Sequence, residues 1–349
     1  MQNRKIFYIN LIYYICMLGV ASIFVLGYFG IITNSYLSTF LIQGIVMLAV
    51  PIMLYSLFVS KSIKKTFSDF GFKKISKTIL FCSIMLGLVL FFVNNYVADM
   101  FYTILMLLGY DNSINIGLSI GSTVGIEFLL TAIIPGICEE VLHRGMFMRG
   151  CKKQGYTRYG LLMSSVLFGL IHLNVQQFFY AMILGCLMGV VVIVSDSIYP
   201  AMIIHFMNNA LSIYFSYGAK YNWPFVSFKL AIEDLIFSSG YLLCIITISG
   251  LIILLLSIYR LLLLAIIRDR NKRAALTLAK ELKMQEMTYL EVQNKLSEID
   301  SILQQTNPQK PLEISNSEAK LKFVDKIFLY SSIILGGLVT LCTFIWGIL

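Results

Sequence analysis

The 349-residue sequence predicts an all-α fold: a polytopic transmembrane helix bundle of about eight to nine spans with a cytoplasmic helical or coiled-coil insertion. Three observations lead there. The chain is 58% hydrophobic and 13% charged, whereas soluble domains run at about 45–50% apolar and about 25% charged. Apolar runs near the length of about 20 residues that a bilayer requires recur along the whole sequence. The Lys and Arg residues gather in alternate loops, which is how membrane proteins set their orientation. The net charge of +9 is therefore a topological signal rather than a footprint for nucleic acid.

Taken in order, the spans fall near 7–32, 36–60, 78–97, 121–148, 157–173, 176–195, 198–216, 235–259 and 325–348. The first follows Arg4 and Lys5 in the charge order of a signal sequence. It exceeds an h-region of about 7–15 residues, so it is expected to stay as a spanning helix. Residues 98–118, apolar in the middle and polar at the ends, suit an interfacial helix. Lys61, Lys64, Lys65, Lys73, Lys74 and Lys77 follow the second span, and Arg149, Lys152, Lys153 and Arg158 follow the fourth. Arg260, Arg268, Arg270, Lys272 and Arg273 follow the eighth, while the alternate loops hold only Lys220. These counts place the N-terminus in the cytoplasm of a multi-pass cell-membrane protein with an odd number of spans.

The chain divides into N-terminal spans (1–120), a polar-motif core (121–216), a further span (217–267), a cytoplasmic helix (268–322) and a last span (323–349). In the cytoplasmic piece, Leu278, Leu282, Gln285, Tyr289, Val292, Leu296, Ile299 and Leu303 alternate spacings of three and four, with charges between them. That seam suits self-association or a protein partner through 275–303. It equally suits an amphipathic helix on the protein's own cytoplasmic face or on anionic lipid. The helix is expected to stop near Asn307-Pro308. The seven cysteines lie one per segment, without a Cys-x-x-Cys pair, and behave as small hydrophobes.

The chemistry concentrates where polar residues interrupt apolar runs, because an ionisable group at membrane depth is costly and marks a site when a partner exists. Glu139 and Glu140 are adjacent and point about 100° apart on a helix, so they cannot share one job. Arg144 stands four residues after Glu140, the spacing of an ion pair, which leaves Glu139 for the bundle interior. His172 ends the fifth span one turn after Phe168. On the seventh span His205 and Asn209 share a face. Any one of these has an ordinary explanation as an interface residue or interhelical hydrogen bond. Four polar sites on three neighbouring spans do not.

Glu139-Glu140-x-x-x-Arg144, Phe168-x-x-x-His172 and His205-x-x-x-Asn209, in that order on successive spans, resemble the three motifs of the CAAX prenyl protease and bacteriocin-processing family of intramembrane proteases, the type II CAAX endopeptidases. The resemblance covers about residues 115–216. His143 departs from it, standing where that family more often has an aromatic residue, and offers a further potential ligand. The resemblance implies an endopeptidase in which Glu139 is the general base, His172 holds the same water, and His205 with Asn209 stabilises the oxyanion. Glu140 and Arg144 would be structural. Peptide hydrolysis needs such a base and such donors. The family is usually described as metalloprotease, and Glu139, His172 and His205 are donors that zinc would accept. No His-Glu-x-x-His helix is present and Asn is a poor zinc ligand, so no metal is assigned and a glutamate-activated water accounts for Asn209 better. The expected substrate is a membrane-associated peptide or protein of CAAX-like, bacteriocin-precursor or signalling-precursor type, with lipid as the other partner and no nucleic acid.

Straight helices place His172 roughly 24 Å along the fifth span from Tyr156, while Glu139 falls near the cytoplasmic end of the fourth. Either the fifth span starts deeper or tilts, or Pro135-Gly136 breaks the fourth span and raises Glu139. Two other functions compete with the protease. One is a silent scaffold or immunity protein acting through its coiled coil. The other is a transporter with an acid relay including Glu127, against which stands the lack of an internal repeat. Gly185-x-x-x-Gly189 suits a close helix contact.

Overall fold

Every described element is a helix, as expected for apolar segments that must satisfy their own backbone groups. The computed structural model describes residues 2–110, 123–284, 294, 297, 321 and 323–348. In chain order these form α1 (Gln2–Tyr28), α2 (Ser35–Ser60), α3 (Ile63–Phe70), α4 (Lys77–Leu107), α5 (124–153), α6 (Thr157–Leu170), α7 (Val175–Ser195), α8 (Tyr199–Tyr221), α9 (Val226–Ser238), α10 (Tyr241–Met284) and α11 (Phe323–Ile348).

Six of them are long and apolar enough to cross a membrane: α1, α2, α4, α7, α10 (over Leu242–Thr277) and α11. By length and composition these are six of the nine expected spans among the described residues; the fourth, fifth and seventh are not among them. They correspond to α5, α6 and α8, whose apolar runs are broken by the polar motifs, and α6 has only 14 residues. Residues expected as an interfacial helix are, up to Leu107, the end of α4; 111–118 lie outside the described residues. The eighth expected span is divided between α9 and α10, with Gly240 at φ 89° in the turn. Of the heptad seam, Leu278 and Leu282 fall on α10, which runs to Met284; its remaining positions and the stop near Asn307-Pro308 lie outside the described residues.

Pro135-Gly136 does not break the chain. Helix α5 passes through both, with wide i→i−5 turns on either side at Phe128–Ile133 and Val141–Arg149. Pro135 lacks an N–H and so has nothing to donate to the carbonyl one turn earlier, that of Thr131. Asn209 Nδ2 donates to that carbonyl at 2.8 Å from α8. Helix α2 has similar wide turns at Phe40–Ala49 and Ser56–Ser60.

Two buried clusters flank α5. One gathers α1, α2, α5, α6 and α11 around Tyr13, Met17, Tyr55, Leu142 and Phe147. The other gathers α4, α6, α7, α8 and α10 around Leu86, Phe168, Met188 and Ile204. Small residues let the central helices approach. A Cβ at Gly160 of α6 would lie 2.8 Å from the Met148 carbonyl of α5, and one at Gly189 of α7 would meet Leu161 of α6 at 2.5 Å. The expected close contact at Gly185 and Gly189 is therefore present.

At one end of the bundle Asp196 gathers three bases. It accepts hydrogen bonds from Lys73 and, at 3.0 Å, from Arg149 Nη1, with Lys152 Nζ at 3.5 Å. Burial pushes the Asp196 carboxyl up, but the hydrogen bond from Lys73 and the charges of Arg149 and Lys152 outweigh it and hold it down at about 2. The loops that carry the basic clusters at 61–77 and 149–158 thus meet at this end.

Candidate active site

The heights of the motif residues follow from that common end. Helix α5 continues to Lys153, beyond the expected end at 148, so Glu139 stands roughly 14 residues, about 21 Å, above its basic terminus. His172 stands roughly 15 residues beyond the start of α6 at Thr157, about the same height. The distance problem posed by straight helices is solved by a longer α5 rather than by a break or a deeper start. From the Arg149–Asp196 contact, Glu139 and His205 are roughly ten and nine residues up their helices, which levels them as well.

Glu139, His172, His205 and Asn209 all line one cavity of about 580 Å³ between α2, α4, α5, α6, α7 and α8. Glu139 Oε2 lies 3.9 Å from His205 Nε2, too far for a hydrogen bond. Glu139 is buried and its Oε2 has no hydrogen-bond partner. Its other oxygen, Oε1, accepts from Gln43 Nε2 of α2 at 2.8 Å.

Each imidazole is held by one nitrogen. His172 Nδ1–H donates to the Phe168 carbonyl one turn earlier, at 2.7 Å, leaving Nε2 for the cavity. His205 Nδ1–H donates to Glu140 Oε1 at 2.9 Å, leaving its Nε2 toward Glu139. The same Glu140 oxygen accepts from Arg144 Nη1 at 2.9 Å, and both side chains are fully buried. Arg144 also donates to the Gly185 carbonyl at 3.0 Å and lies over the Phe168 ring, 4.3 Å from its centroid. The expected Glu140–Arg144 pair is present, and it holds more than a helix end: it orients His205 through Glu140 and supports Phe168, against whose faces and edges both His172 and His205 pack. After His172 the chain turns at Leu173 in the left-handed region, φ 52°, to enter α7 at the cap Asn174.

His143 is not a free ligand. Its Nδ1–H donates to the Glu139 carbonyl at 2.8 Å, and its Nε2 accepts from the Tyr13 hydroxyl at 2.9 Å. Tyr13 and Gln43 are the two residues that the sequence did not point to. Each lies on an apolar helix outside the motifs, and the one available signal was a polar atom at membrane depth. Glu127 accepts from the Tyr217 hydroxyl at 2.9 Å and does not line the cavity.

Residues 121–211 match the family model for type II CAAX prenyl endopeptidases of the Rce1-like kind. The motif resemblance is shown by this match. The Rce1-like region contains every residue of the three motifs, and its family is one of proteases. Tyr13, Gln43 and the polar residues of α4 lie outside it. No curated protein matches the chain. No solved structure matches it either.

The donors do not make a metal centre as they stand. No group of three His, Cys, Asp or Glu side chains able to hold a metal occurs among the described residues. Glu139 and His205 face each other across 3.9 Å, and His172 and His205, which line the same cavity, are each held through Nδ1, to the Phe168 carbonyl and to Glu140.

Proposed function

We propose that the chain is an intramembrane endopeptidase that hydrolyses a membrane-associated peptide or protein with a water activated by Glu139. The observation that carries this is the unpartnered Oε2 of the buried Glu139 carboxylate, facing His205 Nε2 across 3.9 Å in a cavity that His172 also lines. Gln43 holds the other oxygen, so one lone-pair face is directed to the reacting space.

In this reaction His172 Nε2 and Glu139 Oε2 accept from one water. As the water oxygen bonds to the peptide carbonyl carbon, its proton passes to Glu139 and the carbonyl electrons move onto oxygen. The developing oxyanion receives hydrogen bonds from His205 Nε2–H in its protonated form and from the Asn209 amide hydrogen not given to Thr131. Glu139 then delivers the proton to the leaving nitrogen, the C–N bond breaks, and the carboxylic acid formed passes its remaining proton to the amine, giving a carboxylate and an ammonium. Glu140 and Arg144 are positioning residues for His205. The N-terminus and the basic end at Asp196 lie on the cytoplasmic side.

The test is cleavage of lipid-anchored precursor peptides by the full chain in liposomes. The expected result is cleavage by the wild type and a loss of at least about 100-fold in kcat for Glu139→Gln and for His172→Ala, with no effect of chelator. Cleavage by Glu139→Gln at the wild-type rate would overturn the assignment, and a chelator-sensitive rate would overturn the metal-free step.

A further inference from the structure

The space around Glu139 has two chemically different branches. The cavity of about 580 Å³ is polar at its far side: Asn94, Asn95 and Asp99 of α4, Gln177 of α7 and Asn208 of α8 all line it, and no Lys or Arg does among the described residues. A second cavity, of about 420 Å³, shares the wall formed by Ile42, Gln43, Glu139 and His172 but is otherwise almost wholly apolar, lined by α1 from Val20 to Tyr28 and by Met47. The reacting carboxylate therefore sits at the junction of an apolar and a polar chamber.

The polar chamber is short of donors. Asn208 is 7% exposed; its Nδ2 donates to Asn209 Oδ1, and its own Oδ1 has no hydrogen-bond partner among the described residues. Gln43 Oε1 is likewise buried without a donor. The Asp99 carboxylate, half-buried in the same wall, forms no ion pair among the described residues; the nearby Lys229 ammonium is bound to Glu233 and lines a different cavity. A half-buried carboxylate and unpaired amide oxygens call for a ligand rich in N–H groups and positive charge.

Resting on the protease reading, we infer that the substrate is bipartite about the cleaved bond: an apolar segment occupies the α1–α2 chamber, and a Lys or Arg side chain on the other side of the bond is bound by Asp99. Asp99 lies on α4 about 33 Å along the helix from Lys77, toward the end of the bundle away from the basic loops. The basic side chain thus points away from the end at Asp196.

The experiment uses the full chain in liposomes and quenched fluorescent peptides, each with one apolar segment and a single variable residue, Lys, Gln or Glu, scanned along the polar half. For the wild type, kcat/KM is expected to be at least about tenfold higher with Lys than with Glu at one position. Asp99→Asn should remove that ratio and Asp99→Lys should invert it. The near-isosteric Asn variant keeps the test valid should the Lys variant not fold. A Lys-to-Glu ratio that stays the same in both variants overturns the inference while leaving the protease standing. Cleavage of no peptide above the Glu139→Gln background takes down the protease reading itself.

Discussion

Arg144 and Glu140 are a fully buried ion pair on consecutive turns, and their worth lies in what they hold rather than in the pair alone. Removing one partner of such a pair leaves an uncompensated buried charge and costs about 3–5 kcal/mol, whereas replacing both by apolar residues can be nearly neutral. Arg144→Leu should therefore lower thermal stability more than the double variant Arg144→Leu with Glu140→Leu. Both should lose peptidase activity, because His205 Nδ1 loses its acceptor or the acceptor loses its neutralising charge. A double-mutant cycle followed by thermal unfolding in detergent checks the order. Gln43 acts on one atom: its amide holds Glu139 Oε1 at 2.8 Å. Gln43→Leu is expected to reduce kcat by about 10–100-fold through misplacement of the base, with a smaller change in KM; an unchanged kcat would show that Glu139 is positioned without it.

Helix α5 carries both Glu139, the proposed base, and the pair that holds His205, and α8 donates a side-chain hydrogen bond to its backbone. Because Asn209 donates to the Thr131 carbonyl, to which Pro135 has no N–H to offer, Asn209→Ala should cost about 1–3 kcal/mol. In a Pro135→Ala background, where an N–H returns to the helix, the same substitution should cost less. A cycle showing strict additivity would contradict the link. Close approach is the other device at this scale. A Cβ at Gly169 would come within 2.5 Å of the Phe178 carbonyl, backbone that cannot rotate away. Gly169→Ala should force α6 and α7 apart next to His172, costing about 1–3 kcal/mol by overpacking and lowering activity together with the melting temperature.

Over the whole molecule, Asp196 ties the loops that carry the basic clusters to one end of the bundle. Its folded carboxyl titrates at about 2 against an ordinary 3.8. A depressed value means that its stabilising contribution is present above about 3.8 and is lost as the pH falls through about 2. The shift alone corresponds to about 2.4 kcal/mol; with its side chain 36% exposed, solvent screening reduces this to about 1 kcal/mol. Asp196→Asn should thus unfold more readily than wild type at pH 7, and the gap should narrow below pH 4 and close near pH 2, as read by the denaturation midpoint at each pH. Large apolar side chains remain exposed along α10 and α11, among them Leu242, Ile253, Leu261 and Leu338, the surface expected where lipid rather than protein covers the helix.

Composition and apolar run length by themselves determined that the chain is helical and multi-pass, because a bilayer leaves the backbone few other choices. Local spacing also determined the Glu140–Arg144 pair, since residues four apart on a helix are neighbours whatever surrounds them. Motif order marked Glu139, His172, His205 and Asn209, all of which line one cavity. Only the tertiary structure decided that α5 runs on to Lys153 and so lifts Glu139 to the level of His172, because helix ends depend on the loops they meet. Only it drew Gln43 from α2 onto Glu139, Tyr13 from α1 onto His143, and Glu140 onto His205, contacts between residues far apart in the chain for which no sequence period exists. The two-chambered shape around Glu139 belongs to the same class: α1, α2 and α4 supply its walls, and a wall made of side chains from separate helices comes into being only when those helices pack.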